Sequence, residues 1–308
     1  MKKTIFTILL FSAIGLLSCR KDKVQPGIKD VDQQQILDYI STHNITGMKR
    51  DTVGGDTSGI YYETILPGTP GTSYKYADSV SFAFSLSSFD GNYVSADTIQ
   101  NHYDDFAGHI TNKALPYGLE LVIHDVLKRG GSMRILIPSR LAYGVNGYGT
   151  GSRLNVNSRI AGNQCLDYYI HSITNEAAYD DQVIKNYLTA NNFTGYQKTA
   201  SGLYYLLRTP GTGTDPITDN TTISCVYTAL MLNGAIVDQF NSTDGTTTTF
   251  DIPDLIPGMR EGLKNYVTTG ASVSFIIPST LAYRANAFGT APPNTILRYE
   301  MNITAVTP

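Results

Sequence analysis

Histidines, cysteines and acidic residues, the side chains that most often carry chemistry, are spread along this chain in no arrangement typical of a reactive site. His102 and His109 flank a pair of aspartates, but this spacing matches no strong metal signature, and a solvated loop is the expected environment. No Ser-His-Asp or Cys-His arrangement is visible. The glycine-rich stretch 144–151 lacks the strand, lysine and helix that a phosphate-binding loop requires. The sequence therefore predicts no metal and no cofactor.

Aromatic residues are the more informative feature, with 21 tyrosines and no tryptophan. Many tyrosines lie in apolar, alternating runs, where the expected role is a half-buried ring with its hydroxyl at the rim. A hydrophobic fraction of 42% and a charged fraction of 16% indicate a folded chain. The net charge of −3, without a cluster of Lys and Arg, argues against nucleic acid as a partner.

The chain repeats itself at long range. SGIYY at 58–62 returns as SGLYY at 201–205, an offset of 143 residues, and Leu-Ala-Tyr at 141–143 returns at 281–283, an offset of 140. So small a drift predicts two copies of one domain with short insertions. The period is far longer than the 20 to 50 residues or so of a solenoid unit, so each copy is expected to bury its own core.

The predicted domains are 31–174 and 179–308, joined at a short polar boundary near 174–180. Each opens with a short helix that has one apolar stripe. The stripes are Ile36, Tyr39 and Ile40 in the first copy and Ile184, Tyr187 and Leu188 in the second. Each helix is followed by NxTG, and Gly47 and Gly195 are the predicted left-handed stops.

Short alternating strands follow the first helix of each copy. In the second copy they are predicted at 203–207, 222–231, 272–277 and 296–303. One further helix, with Met259, Leu263 and Tyr266 on one face, is predicted between Pro257 and Gly270. The predicted fold class is α+β, in which each domain curves an antiparallel sheet around one short helix.

The N-terminus has the pattern of an export signal. Two lysines precede an apolar run that ends in Leu-Leu-Ser-Cys at Cys19. Residues 1–19 are predicted to be a lipoprotein signal peptide, with Cys19 as the lipidated new N-terminus and 20–30 as a polar tether. The alternative is an ordinary secretory signal with an incidental cysteine. The expected location is the cell envelope, at the outer membrane or the periplasmic face, with the membrane as a partner through the lipid.

The two other cysteines, Cys165 and Cys225, fall at non-equivalent points of the two copies. This excludes a disulfide that both copies share and leaves a bridge between the domains open. Burial as small apolar side chains is the favoured interpretation.

The second copy also carries a series of short motifs in a fixed order. They are SGLYY at 201–205, PGTG at Pro210, VYT at Val226, NG at Asn233 with Asp238 four residues beyond that glycine, IPGMREGL at Ile256, IIPSTLAY at Ile276 and APPNTILRYEM at Ala291. In order and spacing they resemble the FKBP-type prolyl isomerases. The first copy matches more weakly, in SGIYY, FDG at Phe89, PYGLE at Pro116 and ILIPSRLAYG at Ile135.

The resemblance implies a cup that holds the proline ring of a polypeptide substrate. Its walls would be Tyr227, Val237, Asp238, Phe250, Leu255, Ile256, Met259, Tyr283 and Tyr299. The family assigns the Tyr283 hydroxyl and the Ile256 N–H to substrate carbonyls, and places Tyr227 and Asp238 on the wall that faces the amide. Two positions depart from the family, which usually has Trp at Met259 and Phe at Val237. The family also favours an aromatic residue at Thr248.

By the same resemblance, the first copy departs further. Phe84 stands for Tyr227, Ser95 for Asp238 and Leu119 for Met259. Pro116 lies at or next to the position of Ile256, where a proline has no N–H to donate. Only Tyr143 and Tyr168 remain, and extra residues fall at 97–115 and 144–162. This copy is expected to be catalytically weak or silent.

Three functional hypotheses follow. The leading one is a membrane-tethered peptidyl-prolyl cis-trans isomerase that helps exported proteins fold, with an active second domain. The second is a non-catalytic pair of FKBP-like domains that acts as a chaperone or partner-binding module. The third is a surface lipoprotein that binds a ligand through the altered pocket of the first domain.

Overall fold

The computed structural model describes residues 26–53, 57–98, 101–149, 159–241 and 245–307. The predicted signal peptide with Cys19, and most of the predicted tether, lie outside these residues. The described chain forms two seven-stranded sheets, in which every strand pairing is antiparallel. Residues 28–173, which contain the first sheet, are called the N-terminal half, and residues 176–307, with the second sheet, the C-terminal half. The predicted α+β class agrees with this composition of sheets and helices.

The first sheet has the strand order β1-β2-β6-β7-β3-β4, with β5 also paired to β3. Its strands are β1 (Lys49–Arg50), β2 (Tyr61–Leu66), β3 (Ser79–Ser88), β4 (Val94–Ser95), β5 (His102–Phe106), β6 (Ser132–Ile137) and β7 (Leu166–Ile173). Its helices are α1 (Ile28–Thr42) and α2 (Tyr117–Asp125). Three consecutive neighbours, β6, β7 and β3, form the centre of the sheet and carry its longest runs of buried residues.

The second sheet has the order β8-β9-β13-β14-β10-β11, with β12 also paired to β10. Its strands are β8 (Gln197–Lys198), β9 (Tyr204–Thr209), β10 (Thr222–Met231), β11 (Ile236–Phe240), β12 (Thr248–Asp251), β13 (Ser272–Ile277) and β14 (Leu297–Thr307). Its helices are α3 (Glu176–Ala190) and α4 (Pro257–Tyr266). When the strands are taken in chain order, the two sheets have the same connectivity.

The central strand β10 shows why this sequence forms a half-buried strand. Every second residue is buried, and the residues between them are partly exposed. The buried residues are Ile223, Cys225, Tyr227, Ala229 and Met231. This period of two directs one row of side chains toward α4, and β-branched and aromatic types at these positions favour the strand.

The helix α4 lies against the inner face of the second sheet because glycines allow close contact. A Cβ on Gly258 would lie 2.5 Å from Ile277 Cγ2, and one on Gly262 would lie 2.4 Å from the Phe275 ring. Larger residues would therefore push the helix off the sheet. Its buried side chains Met259 and Leu263 fill the core below it.

Each sheet has a second helix on its other face, away from α2 or α4: α1 on the first sheet and α3 on the second. Ile36 of α1 joins a cluster with Leu136 and Cys165, and Ile184 of α3 joins one with Tyr204 and Ile276. The apolar stripes predicted for these helices are therefore their packing faces. Cys165 and Cys225 are both free and buried, which confirms the favoured interpretation.

The helices α1 and α3 begin a few residues before the predicted domain limits. α1 begins at Ile28, inside the predicted tether, and α3 begins at Glu176, three residues before the predicted second domain. A left-handed residue comes soon after each helix, Asn44 (φ 52°) after α1 and Asn192 (φ 54°) after α3, and the predicted Gly47 (φ 83°) and Gly195 (φ 84°) are left-handed as well. The N–H groups of Ile45 and Phe193 then reach back to the carbonyls of Ile40 and Leu188, at 3.0 and 2.9 Å.

Strand limits differ little from prediction. β10 and β13 have the predicted limits, whereas β9 is shifted to Tyr204–Thr209 and β14 runs on to Thr307. Among the described residues, none of the helices combines the length and the apolar character that a membrane crossing requires. Within the same ranges, no group of three or more potential metal-ligating side chains lies together.

Candidate active site

Two tyrosines on neighbouring strands form the floor and one wall of a cup in the C-terminal half. Tyr227 of β10 and Tyr299 of β14 both point into the core, and their ring centroids lie 6.2 Å apart. Phe250 of β12 meets the Tyr227 ring edge to face at 5.3 Å. The cup wall is thus three aromatic rings held by three hydrogen-bonded strands, which is a rigid arrangement.

Tyr227 and Asp238 form a hydrogen-bonded pair on this wall. β11 lies beside β10 with Ala229 opposite Asp238, and the register shifts between Ala229 and Leu230. The Tyr227 hydroxyl donates to Asp238 Oδ2 at 2.6 Å. Burial, followed by the hydrogen bond and the charge of Asp238, raises the pKa of Tyr227, so the phenol stays protonated and continues to donate.

Tyr283 completes the opposite side of the cup. It follows a single 3-10 turn, Ser279–Leu281, and its ring stacks on Phe288 at 4.1 Å with an angle of 6° between the planes. Burial raises the pKa of Tyr283, a hydrogen bond with Tyr299 opposes this shift, and the charge of Asp238 adds to it. Tyr283, Tyr299 and Asp238 therefore lie close together.

The start of α4 closes the cup from below. Ile256 caps the helix with φ −60° and ψ 152°, Pro257 follows at the first helical position, and Met259 is 3% exposed. Leu255 and Ile256 are partly buried against the same core cluster. Within the described part of the chain, the Ile256 N–H has no hydrogen-bond partner. A helix N-terminus leaves such groups free, so this N–H can bind an incoming carbonyl.

The remaining predicted wall residue, Val237, packs against the same cluster from β11. Eight of the nine predicted cup residues therefore belong to one core cluster or pack against it, and the ninth, Asp238, is hydrogen-bonded to Tyr227 of that cluster. Chemically, the cup offers an apolar floor, a phenol and a free N–H on its sides, and a carboxylate held by a second phenol. Such a site can hold a small apolar ring whose neighbouring carbonyls accept hydrogen bonds.

Comparison with known proteins agrees with this geometry. Residues 213–304 match the family model described as FKBP-type peptidyl-prolyl cis-trans isomerase. This segment is of the FKBP type. It contains every predicted cup residue.

Curated relatives carry the same description. The "FKBP-type peptidyl-prolyl cis-trans isomerase FkpA" of Buchnera aphidicola subsp. Schizaphis graminum is 34% identical over 35% of this chain and 42% of its own length. The Aeromonas hydrophila protein of that name is 32% identical over 46% of this chain and 54% of its own length. The chain thus spans about half the length of these relatives. The crystal structure of FkpA from Escherichia coli is similar at 30% identity over 43% of this chain and 61% of that one, with a TM-score of 0.36.

The N-terminal half places different side chains at the FKBP-type positions. The β3 register puts Phe84 where β10 has Tyr227, and Ser95 opposite Leu86 where Asp238 is opposite Ala229. The hydroxyl of Ser95 accepts a hydrogen bond from Asn101 Nδ2 at 2.8 Å. This wall therefore lacks both the phenol and the carboxylate.

The helix side differs as well. Pro116 caps α2 with φ −67° and ψ 146°, nearly the conformation of Ile256, so it occupies the Ile256 position itself. Leu119 fills the Met259 position and is completely buried. Because proline has no N–H, the N-terminal half cannot donate a hydrogen bond from this point.

Tyr143 and Tyr168, the counterparts of Tyr283 and Tyr299, have different surroundings in the N-terminal half. The Tyr143 hydroxyl donates to the carbonyl of Ala114 at 3.1 Å, within the longer segment 107–116 that precedes α2. Tyr168 is completely buried, and burial raises its pKa. The hydroxyl of Tyr143, the counterpart of Tyr283, is thus bonded to a backbone carbonyl of its own half.

Two aromatic residues of structural importance were missed by sequence reasoning. Phe288 stacks on Tyr283, and Tyr148 stacks on Tyr143 at 4.7 Å. Both follow their tyrosine by five residues, and this shared spacing was the available signal. Tyr103, 4% exposed and stacked on Phe82 at 4.9 Å, fills the position that Thr248 holds in the C-terminal half.

Proposed function

We propose that this protein is a peptidyl-prolyl cis-trans isomerase with two FKBP-like domains, of which the C-terminal one is catalytic. The first domain corresponds to 31–174 and the second to 179–308, each extended at its start by the observed first turn of α1 or α3. Support comes from the FKBP-type match over 213–304 and from the equal strand order of the two sheets. The substrates would be proline-containing polypeptides.

The reaction needs neither a nucleophile nor a metal. Rotation about an X-Pro amide meets a barrier of about 18 to 20 kcal/mol, because the planar amide is stabilised by resonance. The twisted state loses that resonance and its polarity. A dry aromatic cup therefore favours the twisted amide over the planar one, provided that fixed donors hold the flanking carbonyls.

Each cup residue has a place in this mechanism. Tyr299, Phe250, Met259, Val237 and Leu255 would surround the pyrrolidine ring. The Tyr283 hydroxyl and the Ile256 N–H would donate to the substrate carbonyls on either side of the bond. The bonded pair of Tyr227 and Asp238 would present a fixed dipole to the amide as it twists. The roles are carried over from the family to positions that the geometry brings together.

One observation carries the proposal. The Tyr283 phenol lies close enough to Asp238 to be affected by its charge, and the N–H of Ile256, which packs against the same core cluster, has no partner within the described residues. The start of α4 leaves this N–H unpaired, and its place beside apolar side chains makes it available to an incoming carbonyl. Substrate binding gives that N–H a use.

We propose that the first domain does not catalyse. Its wall has Phe84 and Ser95, its helix cap is Pro116, and the Tyr143 hydroxyl is bonded to Ala114. Each of the donors that the second domain would use is absent or already occupied. The first domain then serves to hold clients or to support its neighbour.

We also propose that the protein is a lipoprotein of the cell envelope that assists the folding of exported proteins, anchored through Cys19. The support is the N-terminal signal pattern. Metabolic labelling with a fatty acid, compared between the wild type and Cys19→Ala, tests the anchor. Loss of label and release from the membrane fraction are expected in the variant. Equal labelling of both proteins would contradict the anchor.

Prolyl isomerisation of short X-Pro peptides tests the activity. The full chain is compared with Asp238→Ala and Tyr283→Phe, and Tyr143→Phe serves as the matched control in the first domain. Activity is expected in the wild type and the control and a clear loss in the other two. No activity in the wild type, together with protection of an unfolded protein from aggregation, would instead favour the non-catalytic chaperone.

A further inference from the structure

The loop 284–294 forms one lip of the candidate active site. It begins directly after Tyr283 and carries Phe288, whose ring stacks on Tyr283. It also approaches β11, since a Cβ on Gly289 would lie 3.2 Å from the Val237 carbonyl oxygen. The position of this loop therefore affects both the Tyr283 donor and the Val237 wall.

Interactions within the C-terminal half hold this loop at its base and near its tip. Asn294 N donates to the Arg284 carbonyl at 2.7 Å and so closes its base, and Phe288 pairs with Ala291 across its tip. Arg284 and Asn294 both have left-handed backbones, with φ 55° and 57°. Ala291 is 2% exposed and belongs to the core cluster, whereas residues 284–287, 289 and 290 are exposed, so the position of the exposed part depends on how the base of the loop is held.

The N-terminal half supplies a contact at that base. Asn294 is 5% exposed, and its Nδ2 donates to Asp104 Oδ2 of β5 at 3.3 Å. Beside this bond, Ala285 and Pro293 of the loop line a cavity of about 230 Å³ together with Phe84, Leu115 and other residues of the N-terminal half. The loop thus lies across the mouth of the other half's degenerate cup.

The same part of the N-terminal half binds the C-terminal half at two more points. Asn233 Nδ2, in the turn between β10 and β11, donates to Asp97 Oδ2 at 2.9 Å. Glu176, the first residue of α3, accepts a hydrogen bond from Ser81 and lies 3.3 Å from His102 Nε2. The His102 side chain is only 2% exposed. Three separated contacts fix the orientation of one half on the other, so Asp104 has a defined position relative to the loop.

We propose that the N-terminal half positions the active-site loop 284–294, with Asp104 as the positioning residue that acts through Asn294. This rests on the proposed isomerase function. A loop held in one tilt keeps the Phe288 ring against Tyr283 and keeps the phenol aimed at the substrate carbonyl. Preorganisation of this kind lowers the entropy lost on substrate binding and raises the fraction of productive complexes.

The test compares three variants of the full chain. Asp104→Ala removes the acceptor, Asp104→Asn keeps an acceptor oxygen for Asn294, and Asp105→Ala makes the same truncation at the next residue, whose carboxylate instead contacts His109 and Lys113. Isomerisation of an X-Pro tetrapeptide gives kcat and KM, and amide hydrogen exchange reports the loop and the rest of the second sheet separately.

Asp104→Ala is expected to lower kcat/KM by about three- to tenfold, mostly through KM, because loop order contributes to binding. Exchange should quicken in 284–294 but not in β13 or β14. Asp104→Asn should keep at least half of the wild-type kcat/KM, and Asp105→Ala should equal the wild type. Unchanged exchange in the loop of Asp104→Ala, or a faster loop with unchanged kcat/KM and KM, overturns the inference.

The outcome is separable from that of the proposed function. A wild type without turnover defeats the isomerase, whatever the loop does. In that case the affinity for the same peptide, followed by NMR titration, takes the place of KM. Weaker binding by Asp104→Ala together with faster loop exchange still supports positioning, and equal binding rejects it.

Discussion

The two halves build the same cup wall from strands of the same register, yet only one of them keeps the polar groups. Where Tyr227 donates to Asp238 in the C-terminal half, Phe84 and Ser95 stand in the N-terminal half. The ring is retained at both positions and the hydroxyl at one. The fold needs a large apolar side chain there to fill the core, whereas the hydroxyl and its carboxylate are dispensable for packing.

The two halves also differ in whether their hydrogen-bond donors are present and unpaired. Tyr143 bonds to the Ala114 carbonyl of a longer loop, whereas Tyr283 lies beside Asp238 and Tyr299 in the cup. Pro116 removes the N–H that Ile256 presents. The same sheet topology therefore occurs in this chain with and without these polar groups, so the proposed function depends on a few side chains rather than on the architecture.

The largest effect is expected when the helix-cap residue of the N-terminal half, Pro116, is copied into the C-terminal half at Ile256. In Ile256→Pro the N–H disappears, while the backbone at this position (φ −60°, ψ 152°) already suits a proline, as Pro116 shows. Loss of one donor to a developing transition state is expected to lower kcat/KM by about a hundredfold, or about 2.7 kcal/mol. Peptide isomerisation assays measure this.

Ile256→Val is the matched control, because it keeps the N–H and removes only part of the side chain. Its kcat/KM should stay within about fourfold of the wild type, as expected for one lost methylene at about 0.8 kcal/mol. A Pro variant that is folded by circular dichroism and as active as the Val variant would show that the N–H takes no part.

The second comparison concerns two buried aspartates at equivalent positions of α1 and α3. Asp32 accepts from Ser139 Oγ at 2.6 Å and pairs with Arg140 at 3.2 Å. Asp180 accepts from Ser279 but has Thr280 where the other half has arginine, and its Oδ1 is buried without a partner. Burial raises the pKa of Asp180 to about 6.

This raised pKa predicts a stability that falls with pH. The folded state binds the Asp180 proton more tightly than the unfolded state, so the contribution is full below pH 4 or so and is lost as the pH rises through about 6. The free energy of unfolding of the wild type should fall between pH 4 and pH 7.5 by on the order of 2 kcal/mol more than that of Asp180→Asn. Hydrogen exchange of β13 and β14 at both pH values measures the difference.

Asp32→Asn is the control for this effect and should behave in the opposite way. It leaves the Arg140 guanidinium without its buried partner, so the N-terminal half should lose stability at pH 7.5. An equal pH dependence in the wild type and Asp180→Asn would show that Asp180 does not titrate in this range.

A smaller effect is expected at the shared aromatic position. Tyr227→Phe copies Phe84 into the C-terminal half and removes the hydrogen bond that orients Asp238. One such bond contributes about 1 kcal/mol, so kcat/KM should fall about fivefold while folding is preserved. The reciprocal Phe84→Tyr should leave activity unchanged, since Ser95 offers no carboxylate and Pro116 no N–H. A gain of activity in Phe84→Tyr would contradict the assignment of a silent N-terminal half.

Features that depend on a local pattern or on strand register could be predicted from the sequence. Alternation set the limits of β10 and β13, and motif spacing placed Phe84, Ser95 and Pro116 at the positions that the strand register and the helix caps give them. The left-handed backbone of Gly47 was predicted correctly, whereas that of Asn44 was not, because asparagine adopts this conformation less often than glycine.

Contacts between separate segments could not be predicted in this way. The bond from Asn294 to Asp104 joins residues 190 positions apart, and neither residue stands out by type or spacing. The same holds for Tyr143, whose partner is a backbone carbonyl in an inserted loop. Such contacts depend on how loops pack after the sheets have formed, which no periodicity encodes.

The smallest effect is expected at Tyr143, the counterpart of Tyr283. Burial raises the pKa of Tyr143 to about 12, so its hydroxyl is a donor throughout the neutral range, but the Ala114 carbonyl that accepts it can be rehydrated. Tyr143→Phe should therefore lower the free energy of unfolding by less than about 1 kcal/mol. Amide hydrogen exchange should become faster only at 107–116, and isomerase activity should be unchanged. Loss of activity in this variant would mean that the N-terminal cup binds substrate after all, because its tyrosine would then be acting as Tyr283 is proposed to act.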